Sequence, residues 1–165
     1  MKTTTQPAPS DARTLNLANI LVPIDFTKTS SNALWYAKPF ARSFDARITL
    51  VHAIDTLAYA ASMRYVPVNG ELLMAPAERR LEALGIDAVG EELLGDILVR
   101  AGTPFEVITN VAREWDVDLI VIGTHGYSGI RHFFQGSTTE RVVREAPCPV
   151  LVVHPTEHEV VQHEC

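Results

Sequence analysis

The sequence predicts an open α/β fold in which five parallel strands form one sheet with helices on both faces. Five short apolar runs rich in Val, Ile and Leu recur along the chain, as strands buried on both faces do. Between them lie segments whose apolar residues return at helical spacing, and regular alternation of the two types favours βαβ crossovers and parallel pairing. The 165 residues suit one domain and suffice for one core without metal or disulfide.

The first run, NILVPID (19–25), reads as a buried strand closed by Pro and Asp. FTKTSSNALWYAKPFARSF then opens on Thr and Ser, good N-caps, and repeats apolar residues at Ala33, Leu34, Ala37, Phe40, Ala41 and Phe44. That is a helix with one face to a core, and Pro39 inside it removes one backbone bond. RITLVHAID (47–55) is the second strand. TLAYAASMRYVPVNGELLMAP carries mixed signals and reads as a variable loop, and APAERRLEALG as a short helix stopped by Gly85. DILVRAG is a strand from Asp96, and TPFEVITNVAREW a helix with Thr103 as N-cap, Pro104 at its first position and Glu106 three residues after the cap. Phe105, Ile108, Val111 or Ala112, and Trp115 mark its buried face. VDLIVIG, STTERVVREA and CPVLVVH complete the chain as strand, helix and strand. Residues 1–17 are expected as a disordered lead-in, 18–155 as one domain and 156–165 as a flexible tail.

Composition excludes several classes of function. Net charge is −6 with no Lys/Arg-dominated stretch, which disfavours nucleic acid as a partner. No apolar run approaches the roughly 20 residues of a membrane span, and the N-terminus lacks a signal peptide's apolar segment. Two cysteines, Cys148 and Cys165, make no disulfide framework. The expectation is a cytoplasmic protein.

In open α/β sheets ligands bind outside the carboxyl ends of strands, where strand order reverses. That rule points to residues 23–27, 52–55 and 123 onward. Gly123 follows a buried strand, where a left-handed φ is often required. Gly126 lets backbone approach a ligand, and Gly136, Ser137, Thr138 and Thr139 open a helix whose first N–H groups lack intrahelical partners. Those are ingredients of a phosphate site. Ser137 with Glu140 is equally an ordinary capping box, and glycines mark turns in loops that bind nothing.

The spacing Gly123-x2-Gly126-x9-Gly136-Ser137 resembles the nucleotide-binding signature of the universal stress protein family, in its ATP-binding branch. ILVPIDFTKTS is similar to the family's opening strand and Asp-containing turn, LVHAID to its second strand, AGTPFEVITNVAREWDVDLIVIGTHG to its Gly-x-Pro helix and fourth strand, and CPVLVV to its closing strand. The resemblance implies a Rossmann-like sheet of order 3-2-1-4-5. It also implies ATP as ligand, with AMP or ADP as alternatives and Mg2+ as a companion of ATP. Pro23, Ile24 and Asp25 would form the first turn with Asp25 near the ribose, Ala53 would meet the adenine edge through its backbone, and Ile122 and Gly123 would lie near the ribose. Gly126, Gly136, Ser137 and Thr138 would contact the phosphates. A homodimer through the edge strand near Val150 to His154 is implied as well.

Other signatures are absent. There is no G-x-x-x-x-G-K-[ST] run, GYSGI has Ile130 where a nucleophile elbow needs Gly, and no G-x-G-x-x-G follows a strand. The tail residues His154, His158, His163 and Cys165 lack a zinc-binding frame, so no metal site is expected. Phe133 and Phe134 beside His132 read as packing residues. No catalytic residue is assigned: a slow ATP hydrolase or nucleotide transferase lacks a general base and an acidic pair. A nucleotide-free dimeric adaptor stays open beside it.

Overall fold

The computed structural model describes residues 15–55, 70–124 and 138–154. Among them the elements are β1 Asn19–Pro23, α1 Lys28–Phe44, β2 Arg47–Ile54, α2 Gly70–Val89, β3 Leu94–Ala101, α3 Pro104–Glu114, β4 Leu119–Gly123, α4 Thr138–Glu145 and β5 Val150–Val153. The strands form one sheet in the order β3-β2-β1-β4-β5, every neighbouring pair parallel. Strand order reverses at β1, between β2 and β4.

Alternation along the strands divides the core into two layers. Ile20, Val22, Leu119 and Val121 join Leu34, Ala37 and Leu81 under α1 and α2. Leu21, Ile120 and Ile122 face the other way, onto Phe105, Ile108, Val111 and Val142 of α3 and α4. Both faces of the central strands are thus dry, which is why they read as unbroken apolar runs. Each buried Leu, Ile or Val contributes about 1.5–3 kcal/mol of transfer free energy. Leu17, grouped above with the lead-in, is 5% exposed and packs into the first layer.

α1 behaves as its sequence suggests. Thr27 caps it by accepting from the Ser30 amide, Pro39 lies within it, and Asp45 ends it in the left-handed region at φ 55°. Phe40 and Phe44 are half-buried beside the fully buried Ala33, Leu34, Ala37 and Ala41.

α2 departs from expectation. It runs 20 residues, through Pro76 and through Gly85, which does not stop it. A Cβ at Gly85 would stand 2.7 Å from Leu94 Cδ1 and 2.9 Å from Leu50 Cδ1, so glycine brings the helix close to the sheet. The stop comes at Gly90, whose φ of 88° suits glycine and whose N–H donates to the Ile86 carbonyl. Part of the expected variable loop is therefore helix, and the rest lies outside the described residues. β3 also begins earlier than expected, at Leu94.

α3 has Pro104 in its first turn, but Thr103 makes no side-chain cap bond; its carbonyl accepts from Val107 as helix geometry requires. Before β4, the Asp118 carboxylate accepts from the amides of Ala18 and Asn19 at 2.8 and 2.9 Å, joining residues about a hundred positions apart. The Asp118 amide returns a bond to the Asn19 carbonyl. This clamp sets the β1–β4 register at the amino end of both strands.

Candidate functional site

At the carboxyl ends the strands open into a turn, a cleft and a helix start. β1 ends at Pro23, buried like Ile24, and the Ile24 amide donates to the Val51 carbonyl at 2.8 Å. The chain then turns at Asp25, which is exposed. Its Oδ1 accepts from the Thr27 amide at 2.9 Å and the Thr27 hydroxyl at 2.6 Å, an Asx-type turn that leads into the N-cap of α1. A carboxylate has about four acceptor positions, so holding this turn and accepting a ribose hydroxyl are compatible.

Between Asp25 and Thr27, Phe26 is held at φ 62°, left-handed for a bulky residue. His52 lies against its ring, centroids 4.6 Å apart and planes tilted 48°, and His52 Nδ1 is 2.7 Å from the Ile24 carbonyl. Because a carbonyl only accepts, Nδ1 carries a proton, which leaves Nε2 as the ring's remaining polar atom. The Arg80 guanidinium of α2 sits over the Phe26 ring, 4.1 Å from its centroid. Phe26, His52, Ala53, Ile54, Asp55, Pro76, Ala77 and Arg80 line a cleft of about 390 Å³, within the usual range for small-molecule sites of roughly 300–1,000 Å³.

On the other side of the switch point, Ile122 is buried and Gly123 ends β4. Gly123 is glycine for a reason different from the one expected. Positive φ occurs among the described glycines at Gly90 and Gly102, whereas Gly123 is ordinary strand. A Cβ there would stand 2.5 Å from the Thr29 carbonyl oxygen and 2.8 Å from its carbon, so glycine lets the first turn of α1 cross the end of β4. The Gly123 carbonyl accepts from the Thr139 hydroxyl at 3.3 Å, which ties the first turn of α4 to the strand end. Thr138 is the first residue of α4, and Glu140 in its first turn pairs with Arg144 at 2.9 Å.

Of the sequence-predicted site residues, Pro23, Ile24, Asp25, Ala53, Ile122, Gly123 and Thr138 thus lie at or beside the carboxyl ends of β1, β2 and β4. Gly126, Gly136 and Ser137, with His132, Phe133 and Phe134, lie outside the described residues. Sequence reasoning covered Phe26 only within the stretch 23–27 without singling it out and did not reach Arg80, and it gave Thr139 no role beyond the helix start. Phe26 had one signal, its place beside the Asp of the turn; Arg80 had none, because only the packing of α2 brings it near. Among the described residues no group of three or more His, Cys, Asp or Glu could hold a metal ion, and no helix is long and apolar enough to cross a membrane.

The fold is that of a doubly wound α/β protein, with strand order reversing at β1 and a crevice at the carboxyl ends of its strands. The chain belongs to the universal stress protein family, whose model matches residues 16–154. It is 34% identical to a universal stress protein of Thermus aquaticus over 135 residues, covering 81% of this chain and 96% of that one. Among solved structures it is similar to the protein MJ0577, with TM-score 0.68 and 28% identity over 86% of this chain and 99% of that one. A universal stress protein solved in complex with cAMP shares the fold at TM-score 0.62 and 23% identity, covering 86% and 99% of the two chains.

Proposed function

We propose that this protein binds an adenine nucleotide, ATP first, and acts as a nucleotide-dependent module of the stress response, changing its surface or its contacts with occupancy. The observation that carries the reading is that an exposed carboxylate, Asp25, follows β1, whose parallel partner β4 ends at Gly123, at the point where strand order reverses. In this reading Asp25 accepts from the ribose, the Ala53 backbone meets the base edge, and Pro23, Ile24, Ile122 and Gly123 shape the floor. Gly126, Gly136, Ser137 and Thr138 take the phosphates, with Mg2+ accompanying ATP. The fold accommodates such a ligand elsewhere, since a protein sharing it was solved with cAMP. The proposal includes a homodimer through the edge strand β5 near Val150 to His154, in a reducing compartment such as the cytoplasm.

Thermal unfolding with ATP, with AMP and without ligand tests the binding claim. Ligand at 100 times its Kd stabilises by about 2.7 kcal/mol, or about 8 °C for a chain of this size. Gly126→Val abolishes the shift if the glycine loop takes the phosphates. No shift with either nucleotide in the parent protein overturns the reading, and sedimentation across a hundredfold concentration range checks the dimer.

A further inference from the structure

Phe26, His52 and Arg80, packed in series at the carboxyl end of the sheet, have no part in the glycine signature. They come from three different elements: the turn after β1, the strand β2 and the helix α2. Their packing has a direction. His52 is tied to the Ile24 carbonyl, Phe26 rests on His52, and Arg80 rests on Phe26. Phe26 stays left-handed although its side chain disfavours that region, because bonds on both sides over-determine it: the Ile24 amide to Val51 before it, and the Asp25–Thr27 turn around it. Strain retained in this way holds the ring at one place on the cleft wall.

Arg80 itself is exposed, yet its guanidinium lies over an aromatic face, where a planar and weakly hydrated cation stacks well. Held 4.1 Å from one ring centroid, this guanidinium also lines the cleft, where its planar group can meet a second flat partner. The rest of the lining is Ala53, Ile54, Pro76 and Ala77, with Asp55 as the acidic member. That lining suits a flat, largely apolar group. It does not suit a phosphate, which would meet the Asp55 carboxylate in the same cleft.

We infer that Arg80, held over the Phe26 ring, forms the base-recognition wall of the site: the nucleobase stacks against the guanidinium in the cleft between α2 and the end of β2. The inference rests on the nucleotide reading above and adds a specificity-determining pair to it. Arg80 acts on the base and not on the phosphates, and Phe26 acts through Arg80 as its positioning residue.

The experiment measures ATP, AMP and inorganic tripolyphosphate binding by calorimetry to the parent protein, Arg80→Ala, Arg80→Lys, Phe26→Gly and the double variant Phe26→Gly/Arg80→Ala. Glycine accepts the left-handed backbone at position 26, so the turn survives loss of the ring, and unliganded melting curves verify each fold. Stacking on a base commonly accounts for about a tenfold effect or more. The expected result is therefore a loss of about tenfold in Arg80→Ala, equal for ATP and AMP, absent for tripolyphosphate and not rescued by Arg80→Lys. The double variant loses no more than Arg80→Ala alone. A loss that grows from AMP to ATP, or rescue by lysine, would make Arg80 a phosphate contact and overturn the inference. Parent-like affinity in the Arg80 variants overturns it while leaving the nucleotide reading intact, and a parent that binds neither nucleotide removes both.

Discussion

Two aspartates stand at opposite ends of the central strand pair and are used in opposite ways. Asp118, before β4, accepts from the amides of Ala18 and Asn19 and so joins segments a hundred residues apart. Asp25, after β1, accepts through Oδ1 from Thr27, two residues away. The amino end of the sheet is closed by long-range bonds that belong to the fold. At the carboxyl end long-range bonds also occur, from Ile24 to Val51 and from His52 to Ile24, but the Asp25 carboxylate itself is engaged by a local turn and stays exposed at the crevice. In a parallel sheet this division lets the carboxyl end vary while the amino end holds register.

Gly123 is the residue that breaks this contrast most directly, because it lies at the carboxyl end and yet is demanded by packing. Gly123→Ala drives a Cβ toward the Thr29 backbone, which is fixed by α1 and has no rotamer with which to yield. Overpacking of this kind costs up to about 3 kcal/mol, a fall in Tm of roughly 9 °C. Gly85→Ala is the control. There the atoms met are leucine methyl groups, which can turn away, and alanine gains helix propensity of about 1 kcal/mol. A Gly123→Ala protein that melts with the parent would return that glycine to a purely ligand-facing role.

Asp118→Ala comes next. Two amides lose a charged acceptor; bonds to charged groups contribute about 1.5–3 kcal/mol each when buried, and Ala18 is exposed, so a total of about 2 kcal/mol is expected. Urea unfolding reads this as a lower midpoint at unchanged slope. Under the nucleotide reading, affinity measured beside it stays at the parent value, because the proposed site lies at the other end of the strands.

Asp25→Ala reverses the pattern. The Thr27 bonds it removes are short-range and exposed, so stability falls by about 0.5–1 kcal/mol. Under the nucleotide reading, affinity for ATP falls about tenfold, the worth of roughly one charge-assisted hydrogen bond. Equal damage to stability from the two aspartates would erase the contrast.

What the sequence reveals follows the same division. The strands are legible because burial on both faces forces continuous apolar runs. Asp25 is legible as the turn residue that closes a strand, and Gly123 as a glycine at a strand end though not for its actual reason, the close approach of the Thr29 backbone. α2 is not legible, since Pro76 and Gly85 look like punctuation until Leu50 and Leu94 are seen packing where a Cβ would be. Thr103 illustrates the converse, with the right residue type in the capping position and no cap bond made. The wall of Phe26, His52 and Arg80 is invisible for a deeper reason. Nothing local links positions 26, 52 and 80; only the β1–β2 register and the placement of α2 bring them together.

The smallest expected effect sharpens the account of Asp118 itself. Burial first, and then the nearby Asp118 carboxylate, push the Cys148 thiol above its ordinary pKa, against a backbone hydrogen bond from Ile120 that lowers it. The neutral thiol is thus favoured in the fold, and the sign follows. Stability from this group is complete below the thiol's unfolded pKa, and is lost as pH rises through that value toward the raised one in the folded chain. Stability should therefore decline slightly on the alkaline side, and reaction of Cys148 with a disulfide reagent at pH 8 should be slower than that of an unfolded-chain thiol. Asp118→Asn keeps an acceptor for the strand amides but removes the charge, so Cys148 should react faster than in the parent while the alkaline decline becomes shallower. An unchanged labelling rate in that variant would mean that burial alone holds the thiol neutral, and that the carboxylate's influence ends at the two amides it binds.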